Sequence, residues 1–200
     1  MNINKANKLI LGTVQFGLPY GINNQNGFLT EEEVNEILQR AKFLGIETLD
    51  TAAAYGKAEM RIGAFHKNNQ AFNVITKFSK KEGENWDTSL RNSLNNLNLE
   101  RVDTIMFHSF DTFLENKEII PKIVSANKGR LFMKLGVSVY TNQELNVLKE
   151  VDEVDVIQLP FNLLDNDHQR GEILKELQSS GKEIHTRSCF LQGLFFMDEE

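Results

Sequence analysis

The sequence predicts an α/β fold in which helices connect the strands of a parallel sheet. Short apolar runs rich in branched residues alternate with longer segments of helical period along the whole chain, the pattern of repeated βαβ units. Runs such as Val154 to Leu159 have the composition of strands that are covered on both faces. With 200 residues and 40% hydrophobic content, the chain is expected to form one domain over residues 1–200.

Seven strands and six helices follow from this pattern. The predicted strands are Leu9 to Val14, Glu47 to Thr51, Asn73 to Phe78, Asp103 to His108, Phe132 to Val139, Val154 to Leu159 and Glu183 to Ser188. The predicted helices are Thr30 to Leu44, Lys57 to His66, Trp86 to Leu97, Asn116 to Asn127, Asn142 to Lys149 and Asn166 to Ser179. Segments 112–116 and 161–164 are expected as loops after strands four and six.

Local signals mark where the helices start and stop. Thr30 and Glu33 have the spacing of a capping box, in which each side chain satisfies a backbone N–H of the other residue. Gly45, Gly129 and Gly181 stand just past three helix ends, where a residue in the left-handed conformation stops a helix without steric cost.

The composition excludes several partners. Acidic residues outnumber basic ones by 28 to 22, so no nucleic-acid partner is expected, because such binding needs clustered positive charge. The first residues lack the apolar core of a signal peptide, and no apolar run approaches the roughly 18 residues that cross a bilayer. A cytoplasmic protein without membrane contact is expected.

Cys189, the single cysteine, lies in an apolar run and is expected to be buried. No ligand spacing indicates a metal site.

Ionisable side chains stand at the carboxyl ends of three successive predicted strands. Asp50 and Tyr55 follow strand two, Lys77 ends strand three and His108 ends strand four. In a parallel barrel these ends meet at one mouth, where active sites are built. The four groups suit proton delivery to a carbonyl oxygen. An ammonium such as Lys77 lowers the pKa of a nearby phenol from about 10. Asp50 would balance the buried charge of Lys77, and His108 could orient the substrate oxygen.

The run from Asp50 to Gly56, DTAAAYG, resembles the signature of the aldo/keto reductase family at its second strand. The resemblance implies a (β/α)8 barrel and an oxidoreductase that reduces an aldehyde or ketone to an alcohol with NADPH, NADH being the alternative cofactor. It implies Tyr55 as proton donor, Lys77 as the group that lowers its pKa, Asp50 as the partner of Lys77, and His108 as the group that polarises or orients the carbonyl.

Further segments resemble the same family and imply a cofactor site. Gly12 and Thr13 resemble the first-strand turn beside the nicotinamide, and Ser138 resembles the fifth-strand serine that holds its carboxamide. Gln158, followed by Asn162, resembles the sixth-strand glutamine. The segment from Arg187 and Ser188 onward resembles the seventh strand of a bacterial branch of the family. The residues implied to bind the cofactor are Gly12, Thr13, Ser138, Gln158, Arg187 and Ser188.

Three departures from the family pattern bear on function. Val139 stands where many members carry an asparagine, and Arg187 stands where many carry an aromatic ring on the nicotinamide, although a guanidinium also stacks on a π-face. A complete barrel takes about 250 residues, so the chain is expected to hold seven β/α units and to lack the eighth, which grips the adenosine phosphate in the family. Exposed edges favour a homo-oligomer that covers them.

Other functions stay open at this point. A desolvated Lys77 could form a Schiff base with a carbonyl substrate, as in aldolases. A shortened homologue could instead be a non-catalytic binding or assembly protein. The natural substrate does not follow from the sequence, because pocket loops vary freely on such a scaffold. The phenylalanines are expected to lie in the core, although Phe16 and Phe161 could wall a substrate pocket.

Overall fold

Parallel strands and helices alternate along the chain in the predicted order. The computed structural model describes residues 8–78, 85–165 and 167–197. Within these residues seven strands form one sheet in chain order, each parallel to its neighbour, which confirms the predicted barrel-type fold of seven β/α units. The strands are β1 (Ile10–Gly12), β2 (Thr48–Asp50), β3 (Asn73–Phe78), β4 (Val102–Phe107), β5 (Phe132–Ser138), β6 (Val156–Pro160) and β7 (Glu183–Arg187).

The helices of the described residues fall where the periodicity places them, with one exception. They are α1 (Glu31–Phe43), α2 (Ala58–His66), α3 (Trp86–Leu97), α4 (Phe110–Asn116), α5 (Ile120–Asn127), α6 (Asn142–Lys149) and α7 (Asp167–Ser179), with short 3-10 segments at Val14–Phe16, Lys117–Ile119 and Leu191–Phe196. Asn166, the first residue of the last predicted helix, lies outside the described residues. Every helix described is too short or too polar to span a lipid bilayer.

The exception is α4, which occupies the segment 112–116 that was expected as a loop. The hydroxyl of Ser109 accepts a hydrogen bond from the Thr112 N–H (3.2 Å) and thereby caps this helix. Pro121 stands in the first turn of α5, a position that proline tolerates because those N–H groups have no partner within the helix. The predicted single helix from Asn116 to Asn127 is therefore wrong in its first turn, where the chain breaks into two helices.

The predicted helix boundaries are otherwise confirmed. Thr30 and Glu33 form both hydrogen bonds of the capping box, at 2.7 and 3.2 Å. Gly45, Gly129 and Gly181 all adopt positive φ just beyond a helix end, as expected for residues that end a helix in the left-handed conformation.

The sheet curls so that distant strands face each other. Gln158 on β6 donates a hydrogen bond to Asp50 on β2 (2.9 Å), although three strands lie between them. On the same inner face the buried side chains of Ile75, Met106 and Val156 pack together and against Ile10. These residues come from four different strands, so the interior of the curled sheet holds an apolar layer.

Alternate residues of the same strands face the helices. Successive side chains of a strand point to opposite faces, and Leu49, Val74, Phe107 and Ile157 accordingly pack into the larger core between sheet and helices. Phe16 is buried in this core at 3% exposure and does not line the cavity described below. Cys189 is exposed in the turn after β7 rather than buried, because the chain leaves the sheet there.

Candidate active site

The carboxyl ends of the strands surround a cavity of about 360 Å³. It is lined by all four residues predicted from the strand ends, Asp50, Tyr55, Lys77 and His108. It is also lined by every residue predicted from the resemblance to bind a cofactor: Gly12, Thr13, Ser138, Gln158, Arg187 and Ser188. The curvature of the sheet brings these residues together from strands that are far apart in the sequence.

Lys77 and Asp50 form an ion pair at the floor of the cavity. The Lys77 ammonium is 2% exposed and donates to Oδ1 of Asp50 and to the carbonyl oxygen of Thr51 (3.0 Å). Burial lowers the pKa of Lys77, and the Asp50 carboxylate opposes this shift. The predicted pairing places a carboxylate beside a cation that would otherwise be costly to bury.

The second oxygen of Asp50 is also engaged. Oδ2 accepts the 2.9 Å hydrogen bond from Nε2 of Gln158, which fixes the orientation of that amide, because a carboxylate can only accept. The remaining Gln158 oxygen, Oε1, is buried and has no hydrogen-bond partner among the described residues. The backbone of Asp50 is held as well, since the Thr13 N–H and hydroxyl both donate to its carbonyl oxygen at 2.9 and 3.0 Å.

The loop that carries Tyr55 is fixed by a close backbone contact. A side-chain carbon on Gly17 would lie 1.7 Å from the Tyr55 carbonyl oxygen, and one on Gly56 would lie 2.5 Å from the Gly17 carbonyl oxygen. Gly56 also has a φ of +56°, a conformation that other residues rarely adopt. Only glycine fits at both positions, so this contact sets the distance of the Tyr55 loop from the segment after β1.

The pKa of Tyr55 differs from the sequence expectation. Burial and the Asp50 carboxylate raise the pKa of Tyr55 to about 12, and Arg187 acts in the opposite direction. The Lys77 ammonium lies 5.4 Å from the centre of the Tyr55 ring. The predicted lowering by Lys77 is therefore not found, because burial, and after it the Asp50 carboxylate, disfavours the phenolate and keeps the pKa of Tyr55 above its ordinary value of 10.0. The Tyr55 phenol therefore keeps its proton at neutral pH.

His108 packs edge-on against Tyr55, with ring centres 5.8 Å apart. Its backbone N–H donates to the Phe78 carbonyl oxygen (2.9 Å), which continues the pairing of β3 and β4 by one residue. Burial and the nearby Lys77 ammonium lower the pKa of His108 to about 4. The imidazole is neutral near pH 7 and offers one N–H donor and one lone pair to the cavity.

Comparison with known proteins agrees with this geometry. The model of the Aldo/keto reductase family matches residues 8–200. The chain belongs to the aldo/keto reductase family. No curated protein matches the sequence.

Solved structures described as aldo-keto reductases share the fold. One from Pseudomonas aeruginosa is 25% identical, with a TM-score of 0.72 over 90% of this chain and 72% of its own. The holo form of one from Bacillus halodurans is 19% identical, with a TM-score of 0.72 over 93% and 63%. One from Bombyx mori in complex with NADP is 20% identical, with a TM-score of 0.67 over 90% and 62%.

Other side chains of this aldo/keto reductase line the cavity without having been predicted from the sequence: Val14, Tyr20, Tyr140 and Gln192. A signal for Tyr140 was present, since it follows Ser138 by two residues, the spacing that returns to the same face of a strand. Its ring supports the Arg187 guanidinium, whose Cζ lies 4.3 Å from the ring centre.

Two residues noted from the family pattern do not face the cavity. Val139 is fully buried in the core between sheet and helices, and its N–H donates to the Gln158 carbonyl oxygen (2.8 Å). Asn162 stabilises a local turn, in which its Oδ1 accepts from the Leu164 N–H (2.9 Å). Val139, which stands where many family members carry an asparagine, therefore places no side chain in this cavity.

The residues of the cavity fit a nicotinamide. Gln158 Oε1 is a buried acceptor without a donor among the described residues, and a carboxamide NH₂ would supply one. A side-chain carbon on Gly12 would meet nothing within 4 Å, so the backbone there leaves open space beside Asp50. Among the described residues, no group of three or more acidic, histidine or cysteine side chains is arranged to hold a metal ion.

Proposed function

We propose that this chain is an NAD(P)H-dependent carbonyl reductase in which Tyr55 donates a proton to the carbonyl oxygen. The observation that carries the proposal is the arrangement of Asp50, Tyr55, Lys77 and His108 around one cavity. Membership of the aldo/keto reductase family supports it. The chain spans 62% to 72% of the length of the solved relatives described above, so the reductase activity of this chain is a proposal.

The proposed cofactor is NADPH, with NADH as the alternative, because the Bombyx mori relative was solved with NADP. Bound nicotinamide would supply the hydride that adds to the carbonyl carbon. Gly12 and Thr13 would line one side of the nicotinamide. Gln158 and Ser138 would bind its carboxamide. Arg187 and Ser188 would cover the side of the ring that faces β7. The feature that supports this assignment most directly is the buried Gln158 oxygen, which has no hydrogen-bond partner in the described part of the chain.

Tyr55 has a proton to give because its pKa of about 12 keeps the phenol protonated at neutral pH. An alkoxide is a far stronger base than a phenolate, so proton transfer to a carbonyl oxygen that has gained a hydride is favourable. Neutral His108, packed against the Tyr55 ring, can donate its N–H to the same oxygen and orient it. The ion pair of Lys77 and Asp50 would set the electrostatic potential at the Tyr55 phenol.

The geometry disfavours the Schiff-base alternative. A lysine nucleophile must present a neutral amine to a carbonyl carbon, whereas Lys77 donates to the Asp50 carboxylate and to the Thr51 carbonyl oxygen. Although burial lowers the pKa of Lys77, these contacts hold its nitrogen on Asp50 and Thr51 rather than presenting it to a substrate. Lys77 is therefore better suited to shaping the field around Tyr55 than to forming a covalent intermediate.

The test is NADPH consumption by the purified chain with a panel of aldehydes, together with a calorimetric titration of NADPH. Replacement of Tyr55 by Phe should lower kcat by roughly a hundredfold to ten-thousandfold, because the proton donor is lost. NADPH affinity should change little. Tyr20→Phe, the same change at another tyrosine on the rim of the cavity, serves as the matched control and should retain most activity.

Unchanged turnover in Tyr55→Phe would contradict the role of Tyr55. If the chain neither binds NADPH nor consumes it, the carbonyl-reductase proposal fails and the non-catalytic homologue becomes the better description.

A further inference from the structure

One cation in the cavity has no acidic partner among the residues that the structure describes. Among the described residues, the cavity is lined by one carboxylate, Asp50, and by two cations, Lys77 and Arg187. Asp50 and Lys77 neutralise each other in an ion pair. The Arg187 side chain donates one long hydrogen bond, to the Ser188 hydroxyl (3.4 Å), and forms no ion pair within the described residues. The cavity therefore carries an unbalanced positive charge, although the whole chain has a net charge of −6.

The Arg187 guanidinium is held in a defined orientation. Its Cζ lies 4.3 Å from the centre of the Tyr140 ring, a cation–π contact that fixes one face of the planar group. The N–H donors of a guanidinium point outward in its plane, so this contact leaves them available. A half-buried guanidinium with unsatisfied donors is suited to a two-point hydrogen bond with a carboxylate or a phosphate.

Arg187 also lies within electrostatic range of the proposed proton donor. Its charge opposes the rise in the pKa of Tyr55 and adds to the lowering of the pKa of His108 by burial and Lys77, as expected for a cation that shares their cavity. Arg187 pairs in register with Pro160 of β6 on the inner side of the curled sheet. Because Arg187 and Tyr55 line the same cavity of about 360 Å³, an anionic group on Arg187 and a carbonyl at Tyr55 can belong to one small molecule.

We propose that Arg187 binds an anionic group of the substrate, so that this chain reduces aldehydes or ketones that carry a carboxylate or a phosphate. The proposal rests on carbonyl reduction at this site and names the class of substrate. It assigns the outward N–H donors of Arg187 to the substrate, which leaves the guanidinium face opposite Tyr140 for the cofactor.

The experiment uses pairs of substrates that differ in charge. Succinic semialdehyde is compared with its methyl ester, and glyceraldehyde 3-phosphate is compared with glyceraldehyde. The selectivity for the charged member of each pair is the ratio of the two kcat/KM values. The pair with the larger ratio identifies carboxylate or phosphate as the preferred anion.

Three variants show whether Arg187 is the cause. Arg187→Gln removes the charge and should lower the selectivity ratio roughly tenfold to a hundredfold, the usual effect of losing a hydrogen-bonded charge. Arg187→Lys keeps the charge without the planar donors and should retain part of the selectivity. Arg91→Gln removes an exposed arginine on α3, where Arg91 pairs with Asp87, and should leave the ratio unchanged.

Two results would overturn the proposal. One is a wild-type chain that does not prefer the charged substrates. The other is an Arg187→Gln variant that loses the same factor for both members of each pair while binding NADPH more weakly, which would place Arg187 on the cofactor alone.

A binding measurement separates this proposal from the proposed reaction. Succinate and inorganic phosphate are titrated into the chain by calorimetry, with and without NADP⁺. If the chain has no turnover but binds one of these anions, and Arg187→Gln abolishes the binding, the anion site stands while the proposed reaction fails. Active protein without charge selectivity would leave the reaction intact and exclude the anion site.

Discussion

Two layers on the inner face of the curled sheet show how one set of strands serves both stability and chemistry. The lower layer is apolar and consists of Ile10, Ile75, Met106 and Val156. Two residues further along the same strands, the inner face carries Gly12, Lys77, His108 and Gln158, all of which line the cavity. The two-residue period of a strand keeps both sets on one face.

The difference shows that the polar site is supported by the apolar layer beneath it. Ile75, Met106 and Val156 are fully buried and close the interior of the sheet below Lys77. A fully buried apolar layer has a low local dielectric constant, and this strengthens the interactions between charges that lie next to it. The ion pair of Lys77 and Asp50 and the shifted pKa of His108 both depend on that exclusion of water. The lower layer should therefore govern stability, and the upper layer should govern proton transfer.

The largest expected effect tests the lower layer. Met106→Ala should lower the free energy of unfolding by about 3 to 4 kcal/mol, because it removes a fully buried side chain and leaves a cavity between Ile75 and Val156. Urea unfolding followed by circular dichroism measures the change. Met133→Ala, at an exposed position of β5, is the matched control and should cost less than about 1 kcal/mol. Equal losses in the two variants would contradict the role of the inner layer.

A somewhat smaller effect tests the ion pair of the upper layer. Lys77→Met should lower the free energy of unfolding by about 2 to 3 kcal/mol, because the partly buried Asp50 carboxylate loses its cation. The double variant Lys77→Met with Asp50→Asn should recover most of this stability, since no charge is then left unpaired. Turnover should stay low in both variants. If the double variant is no more stable than the single one, the cost arises from packing rather than from charge.

The smallest expected effect is a pH dependence set by His108. The pKa of His108 is lowered from 6.5 to about 4 in the folded chain, so between these values the unfolded chain binds the additional proton. The stabilisation is complete above about pH 6.5 and is lost as the pH falls toward 4. After allowance for solvent screening, the loss amounts to about 1 to 2 kcal/mol.

Urea unfolding at several pH values isolates the contribution of His108. Between pH 6.5 and 4 the free energy of unfolding should fall by about 1 to 2 kcal/mol less in His108→Gln than in the wild type. His168→Gln, at an exposed position of α7, should retain the wild-type slope. A slope in His108→Gln equal to that of the wild type would show that other groups cause the pH dependence.

Much of the fold could be predicted from the sequence because its signals are local. The strand Asn73–Phe78 and the helices Trp86–Leu97 and Asn142–Lys149 have the predicted bounds. The short helix Phe110–Asn116 was missed, although Ser109 carries a capping signal, because seven residues give too little periodicity to distinguish a helix from a loop. Cys189 was misplaced because an apolar neighbourhood in sequence does not show where the chain turns away from the core.

The sequence by itself determined the order of the elements, the strand ends at which Asp50, Tyr55, Lys77 and His108 stand, and the family. These follow from hydrophobic period and from motif, which are properties of neighbouring residues. Only the tertiary structure decided which groups stay without a partner. The ion pair of Lys77 and Asp50 joins neighbouring strands and was predicted. Curling the sheet places Gln158 of β6 against Asp50 and sets Arg187 on Tyr140 without an acidic partner among the described residues. Electrostatic energy depends on distance and burial, so the pKa of Tyr55 and the unbalanced charge of Arg187 emerge only once distant strands meet around one cavity.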